Sequence, residues 1–389
     1  MANKDLVVKV AKEGAAKYFD EQMQLLKKFS TIDSGTGYIE GNDKVIEVMK
    51  SVFATMDNAQ VEVVDAGKLG HHVVCRIKPE NPTGKLIINC HIDTVFAPGD
   101  CETHPYHEKD GWAYGLGIID CKAGFLVSAY AVKIIQEAGL LPNKEIALVY
   151  NCDEEIGSPE GQKLFDREGK GAEAAFIFEP ARGENGILTY RKGSGKAYIT
   201  AIGKEAHSGL RYTDGRNACV ELAKKIVEIY ELNDYEKQIY YNPALIKGGE
   251  KGTGTVPADA SCVVGIKPGS MEEWEKMKND IDKVLAKPYI DGVKLECEYH
   301  LPFAVHERTE GTVALYNKIH EAGLLLGKDY PEQSTAGSGD SGYWASLGIP
   351  CVDGLGPLMS EIHTFQEGFQ IETLREKTEL FSAVLGLYE

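Results

Sequence analysis

The chain has 389 residues, 43% of them hydrophobic, enough to bury a large core and to form two domains. Its formal net charge of −17 argues against nucleic acid or an anionic membrane as partner, since both call for a basic surface. The opening MANKDLVVKVAKEGAAKYFDEQ alternates apolar and charged residues at helical spacing, so no signal peptide is expected, and no stretch approaches the ~20 apolar residues of a membrane span. Nine scattered cysteines in strand-like runs such as VVCRI and IINCH fit reduced thiols and a cytoplasmic protein.

Up to about residue 190, apolar strand candidates alternate with longer amphipathic segments. The runs LIINC, IALVY and AAFIF read as strands, and residues 122 to 139 read as a helix. This order predicts an α/β domain with a mainly parallel sheet covered by helices on both faces. The pattern then changes. Residues 195–203 read as a strand, 214–232 as a helix, 243–249 and 259–267 as strands, 271–286 as a helix and 292–300 as a strand. That β-α-β-β-α-β order is the ferredoxin-like arrangement. From Phe303 the strand and helix alternation resumes. The expected organisation is a larger domain of residues 1–193 and 302–389 with residues 194–301 inserted, joined near KGSG and HLPF where turn residues gather.

Several chemistry-bearing residues follow the strand-like runs, where an open α/β sheet presents its ligands. In HIDTV, Asp93 lies two residues after His91, so in an extended segment it shares a face with His91 and can fix its tautomer; a surface histidine is the alternative. In GLGIIDCKAG, Asp120 at a strand-to-helix turn can bridge two cations with its two oxygens, or can simply cap the helix that follows. In NCDEEIGSPEG, three consecutive acids after IALVY would repel one another if buried without cations. With cations, one of the neighbours Glu154 and Glu155 can bind metal while the other removes a proton from water; a solvated acidic loop capping the helix after Pro159 is the alternative. Glu179 in FIFEP and His363 in EIHTF complete a set of two histidines and three carboxylates that suits two divalent ions, zinc, cobalt or manganese.

Taken in order, HIDTV, GLGIIDCKAG, NCDEEIGSPEG, FIFEP, GKEAHSG, DGRNA, TVPADA, SGDSGY, GLGP and the late His363 resemble the co-catalytic zinc peptidase and deacylase family of glutamate carboxypeptidase, acetylornithine deacetylase and succinyl-diaminopimelate desuccinylase. The resemblance implies that His91 and Glu179 hold one zinc, that Glu155 and His363 hold the other, and that Asp120 bridges them. It makes Glu154 the general base and Asp93 the partner of His91, and it implies a cis peptide at Asp120–Cys121. It also implies a homodimer formed through the inserted domain, with His207 of AHSG reaching the partner's active site to polarise the scissile carbonyl. A glutamate at 179 is similar to the carboxypeptidases and deacylases, which points to cleavage of an amide in a small peptide or N-acyl amino acid with a free carboxylate. An acetylornithine deacetylase or aminoacylase type of activity is the near alternative, and a catalytically silent dimeric scaffold the distant one.

The chain departs from the carboxypeptidase pattern at the substrate carboxylate. Gly254 stands in GTGTVP where that pattern has asparagine, Lys267 replaces an arginine in VVGIKP, and no arginine occurs in EYHLPF. Arg211, Arg216 and Lys267 are the substitute candidates, each equally readable as a surface charge.

Overall fold

Strands that are apolar on both faces need cover on both faces, and the three runs read from the sequence receive it. In the computed structural model, which describes residues 3–389, they become the strands Lys85–His91, Glu145–Asn151 and Ala172–Ile177, buried along almost their whole length. Together with Gln60–Asp65, His71–Ile77 and Cys351–Val352 they form a six-stranded sheet. From one edge the order is Gln60–Asp65, His71–Ile77, Glu145–Asn151, Lys85–His91, Ala172–Ile177, Cys351–Val352. The last four run parallel, whereas His71–Ile77 is antiparallel to both its neighbours, so the sheet is mixed. Successive residues of one strand go to opposite layers: Leu86 and Ile88 join a core with Phe125, Tyr130 and Phe381, while Ile87 packs with Phe165 and Trp344. The helix Ala123–Glu137, apolar all round, is buried from Ala123 to Ile135.

Register decides where the chemistry converges. His91 pairs with Asn151, and Asn89 pairs with Ile177, so the residues just past Asn151 and Ile177 emerge at the level of His91. This sheet belongs to a unit made of the chain up to Tyr190, Arg308–Thr335 and Gly339–Glu389.

A second unit comprises Arg191–Glu307 with Ala336–Ser338. Its elements follow the order strand Ser194–Ile202, helix Ala218–Tyr230, strands Tyr241–Gly248 and Asp259–Ile266, helix Met271–Leu285, strand Lys294–Phe303. The four strands form an antiparallel sheet in the order Tyr241–Gly248, Asp259–Ile266, Ser194–Ile202, Lys294–Phe303. Alternate residues Ala197, Ile199 and Ala201 pack with Leu222, Ile229, Trp274, Met277 and Ile281 from the two helices. The first helix begins four residues later than its periodicity predicts. Tyr212–Asp214 form a separate 3-10 turn, and Asn217 caps the helix by accepting from the Val220 amide.

All nine cysteines are free thiols, seven of them buried. Among the described residues no helix is long and apolar enough to cross a membrane.

Candidate active site

Two groups of ligand-type atoms meet beyond the carboxyl ends of the parallel strands, and both include Asp120. In the first, His91 Nε2 lies 2.9 Å from Asp120 Oδ1 and 3.3 Å from Glu179 Oε1. In the second, His363 Nε2 lies 3.1 Å from Asp120 Oδ2 and 3.2 Å from Glu155 Oε2. Each oxygen of Asp120 therefore faces one histidine. Asp120 does not cap the helix that starts at Ala123; it sits in the irregular turn Ile118–Lys122, next to a cis peptide bond with Cys121.

The three consecutive acids have three different surroundings. Asp153 accepts from the amides of Glu160 and Gly161 at 2.7 and 3.0 Å, so it caps the helix Gly161–Glu168, as one sequence alternative has it, but fully buried rather than solvated. Glu155 joins the His363 group. Glu154 is 8% exposed and belongs to neither group. Both are held from behind by Asp93, whose Oδ1 accepts from the Glu154 amide at 3.1 Å and whose Oδ2 accepts from the Glu155 amide at 3.3 Å. The same Oδ1 lies 3.3 Å from His91 Nδ1, and the Asp93 carbonyl is 3.0 Å from that nitrogen, which fixes the ring with Nε2 toward Asp120.

Burial of so much charge shows in the acidities. It drives Glu154 well above the usual carboxylate range, with His91 opposing and Glu179 adding to the rise. Glu155 is pushed up to about 7 by burial against the hydrogen bond from His363. Burial would raise Asp120 too, but hydrogen bonds from His363 and His91 hold it well below its ordinary value. Contacts with Asp120 and Glu155 take His363 up to about 10. Glu155 Oε1 is buried with no partner among the described residues. The donor set fits two divalent ions: imidazole and carboxylate on each side, one carboxylate shared, and a histidine already oriented through its other nitrogen.

The second unit holds the remaining candidates. His207 is exposed in a two-residue strand pair with Thr255–Val256; its Nδ1 accepts from the amides of Gly209 and Leu210, so the neutral ring carries its proton on Nε2. Arg211 Nε donates to Asp214 at 2.7 Å. Arg216 Nη1 donates to the carbonyls of Thr213 and Gly215 at 3.1 and 2.8 Å, and Lys267 Nζ donates to Ser194 Oγ at 2.9 Å. All three candidates for a carboxylate clamp thus have contacts inside their own unit.

Several residues around the metal-ligand groups escape a reading of the sequence. Thr36 Oγ1 donates to Asp93 Oδ2 at 2.6 Å. Glu367, buried, accepts through Oε1 from the amides of Ile119 and Asp120 at 3.2 and 3.3 Å, and its carbonyl accepts from Gly115, joining the segments that carry Asp120 and His363. Its place four residues after His363 is the one signal the sequence offers.

Residues 87–386 match the model of peptidase family M20/M25/M40. The chain belongs to this family. It is accordingly a hydrolase acting on amide bonds, and M20 enzymes usually bind two divalent metals. Carboxypeptidase G2 of Pseudomonas sp. (strain RS-16) is 26% identical over 346 residues, 87% of this chain and 82% of its own length. A succinyl-diaminopimelate desuccinylase of Sulfurimonas denitrificans is 22% identical, covering 77% of this chain and 83% of its own. Among solved structures, aminopeptidase PepT from Bacillus cereus matches with a TM-score of 0.73 at 22% identity and 99% coverage of both chains. An M20 family metallo-carboxypeptidase from Sulfolobus solfataricus gives 0.72 at 18% identity, covering 95% of this chain and 99% of its own. At these identities the likeness to solved structures speaks for the fold, the mixed α/β arrangement of M20 peptidases.

Proposed function

We propose that this chain is a dinuclear zinc hydrolase that cleaves the amide bond of a small peptide or N-acyl amino acid bearing a free carboxylate, in the manner of a carboxypeptidase. One observation carries the reading: Asp120 turns one oxygen to each of two histidine–carboxylate groups, while Glu154 lies buried beside them and belongs to neither. His91 and Glu179 would hold one ion, Glu155 and His363 the other, with Asp120 shared. Zinc is taken from the likeness to the co-catalytic zinc peptidases; the imidazole and carboxylate donors themselves suit zinc, cobalt or manganese alike. Bound ions lower the pKa of a water toward ~7 and polarise the scissile carbonyl.

The chain's own residues then move the proton and hold the geometry. Glu154 takes a proton from the attacking water as its oxygen bonds to the carbonyl carbon. It returns that proton to the nitrogen as the C–N bond breaks, releasing an amine and a carboxylic acid. Asp93 keeps His91 in one tautomer and fixes the backbone of the two glutamates. His207, acting from the partner subunit, donates Nε2–H to the developing oxyanion, an effect worth about 3 kcal/mol.

Residues 194–301 are read as a ferredoxin-like domain inserted between residues 1–193 and 302–389. The β-α-β-β-α-β order and the antiparallel sheet order support this. They are read also as the dimer contact. Tyr241–Gly248 is an edge strand carrying exposed Leu245 and Ile246, and the helix beside it exposes Val220, Val227 and Tyr230, apolar surface of the kind that marks an interface. The nine free thiols support a cytosolic site of action.

A deacylase is the second reading, favoured by the absence of the carboxypeptidase arginines and by the likeness to desuccinylases. Turnover of dipeptides and folyl-type substrates set against N-acetyl and N-succinyl amino acids separates the two. Glu154→Gln tests the shared chemistry: kcat falls at least ~100-fold with both metals retained. Nearly unchanged turnover, with Glu155→Gln inactive, would mean that the roles of the two glutamates are exchanged.

A further inference from the structure

Asp340, in the SGDSGY motif, is a buried carboxylate that the proposed chemistry does not use. It opens the short helix Ser341–Ser346 yet makes no capping bond to it. Its oxygens go elsewhere: Oδ1 accepts from Ser158 Oγ at 2.5 Å and Oδ2 accepts from Asn151 Nδ2 at 2.8 Å. Ser158 and Asn151 bracket the turn that carries Glu154 and Glu155. The contacts close into a ring, because Asn89 Nδ2 donates to Asn151 Oδ1 at 3.3 Å and Trp344, on the helix that Asp340 opens, donates from Nε1 to Asn89 Oδ1 at 2.9 Å. All five residues of the ring are buried.

Ser158 is the strained member. Its φ of 52° lies in the left-handed region, which a residue with a Cβ adopts only under strain. Its amide donates to the Asp153 carbonyl at 2.8 Å. The bond to Asp340 holds the serine there. The backbone between Asp153 and Ser158, with Glu154 and Glu155 on it, is thereby pinned at its far end as Asp93 pins its near end.

We propose that Asp340, acting through Ser158 and Asn151, is a positioning residue for the turn that carries the general base and a metal ligand. The proposal rests on the reading of Glu154 as the base. Two variants test it. Asp340→Asn leaves the ring one acceptor short, since one of its two contacts then meets an amide donor. Ser158→Gly removes the hydroxyl while suiting the positive φ, so it spares the fold.

Expected for each, in metal-loaded enzyme, is a fall in kcat of about 10- to 100-fold with KM changed less than about 3-fold, the signature of misplaced reacting groups. In metal-free protein the amides of residues 154–158 exchange hydrogen faster in both variants while the sheet strands keep their protection. The double variant is no slower than the worse single one, because both break one contact. Ser158→Gly with wild-type kcat and wild-type protection of residues 154–158 overturns the proposal, whether or not Asp340→Asn folds. So does a loss that appears only as lowered Tm with kcat intact. Exchange is read without turnover, so if Glu154→Gln disproves the base assignment, the clamp stands or falls on the protection of residues 154–158 alone.

Discussion

The turn bearing Glu154 and Glu155 is gripped by side chains from distant segments, Asp93 and Asp340 among them, whereas His207 is exposed on a two-residue strand pair and its Nδ1 accepts from amides two and three residues further on. The contrast follows from what each must do. Acids packed side by side in a buried site repel one another, so their spacing has to be imposed by neighbours that cannot relax. On the proposed reading His207 is a donor that meets its target only across a dimer; such a donor gains from exposure and from a defined tautomer, and two amide bonds to Nδ1 supply the tautomer without burying the ring.

The largest effect sharpens the buried side of the comparison. A chelator should abolish activity, and metal analysis of active protein should give two ions per chain; full activity with one reproducible ion would remove the shared role of Asp120. Next comes the exposed side. His207→Ala should lower kcat ~100-fold or more with metals and Tm unchanged. Mixed with Glu154→Ala under subunit exchange, it should recover activity, up to about a quarter of wild type, because half of the dimers are mixed and each has one complete site of two. Verified exchange with no recovery would confine His207 to its own chain.

Two smaller effects probe the scaffolds. Glu168 is buried beneath Arg76 and Lys85, which hold it at about 2 against the pull of burial. A carboxylate whose folded pKa lies below its unfolded value stabilises fully above the unfolded value near 4.5 and loses that contribution as pH falls toward 2. Glu168→Gln should therefore destabilise by about 3 kcal/mol at pH 7 and clearly less at pH 3, read by denaturant melts. An equal loss at both would assign the effect to packing. Asn217→Ala, which removes the helix cap in the second unit, should cost only ~1 kcal/mol and leave kcat at 25 °C unchanged.

The elements most legible in the sequence are those decided locally. The apolar run of residues 123–135 and the strands before His91, Glu154 and Glu179 announce themselves by pattern, and the ligand types follow from their places at strand ends. The start of the helix at Ala218 was less legible, because the Asp214-Gly215 turn and the Asn217 cap compete with helical spacing. The clamping contacts could not be read at all. Ser158 and Asp340 are 182 residues apart, Ile119 and Glu367 248, and Thr36 and Asp93 57, so no local periodicity connects them. The separate fates of Asp153, Glu154 and Glu155 were equally hidden, since neighbours in sequence look alike until the backbone turns between them.

The helix Ala123–Glu137 carries a consequence for the order in which the molecule is made. Its apolar circumference is covered by Lys4–Phe29 and by Ile371–Gly386. During synthesis, residues 191–307, with a core of their own, leave the ribosome before the second of those covers exists. The nascent chain therefore passes through a stage with a closed small domain, a half-clad helix and His363 not yet beside Asp120 and Glu155. Chaperone capture of the nascent chain is expected to concentrate on residues 123–135 until residues 371–386 emerge to cover them.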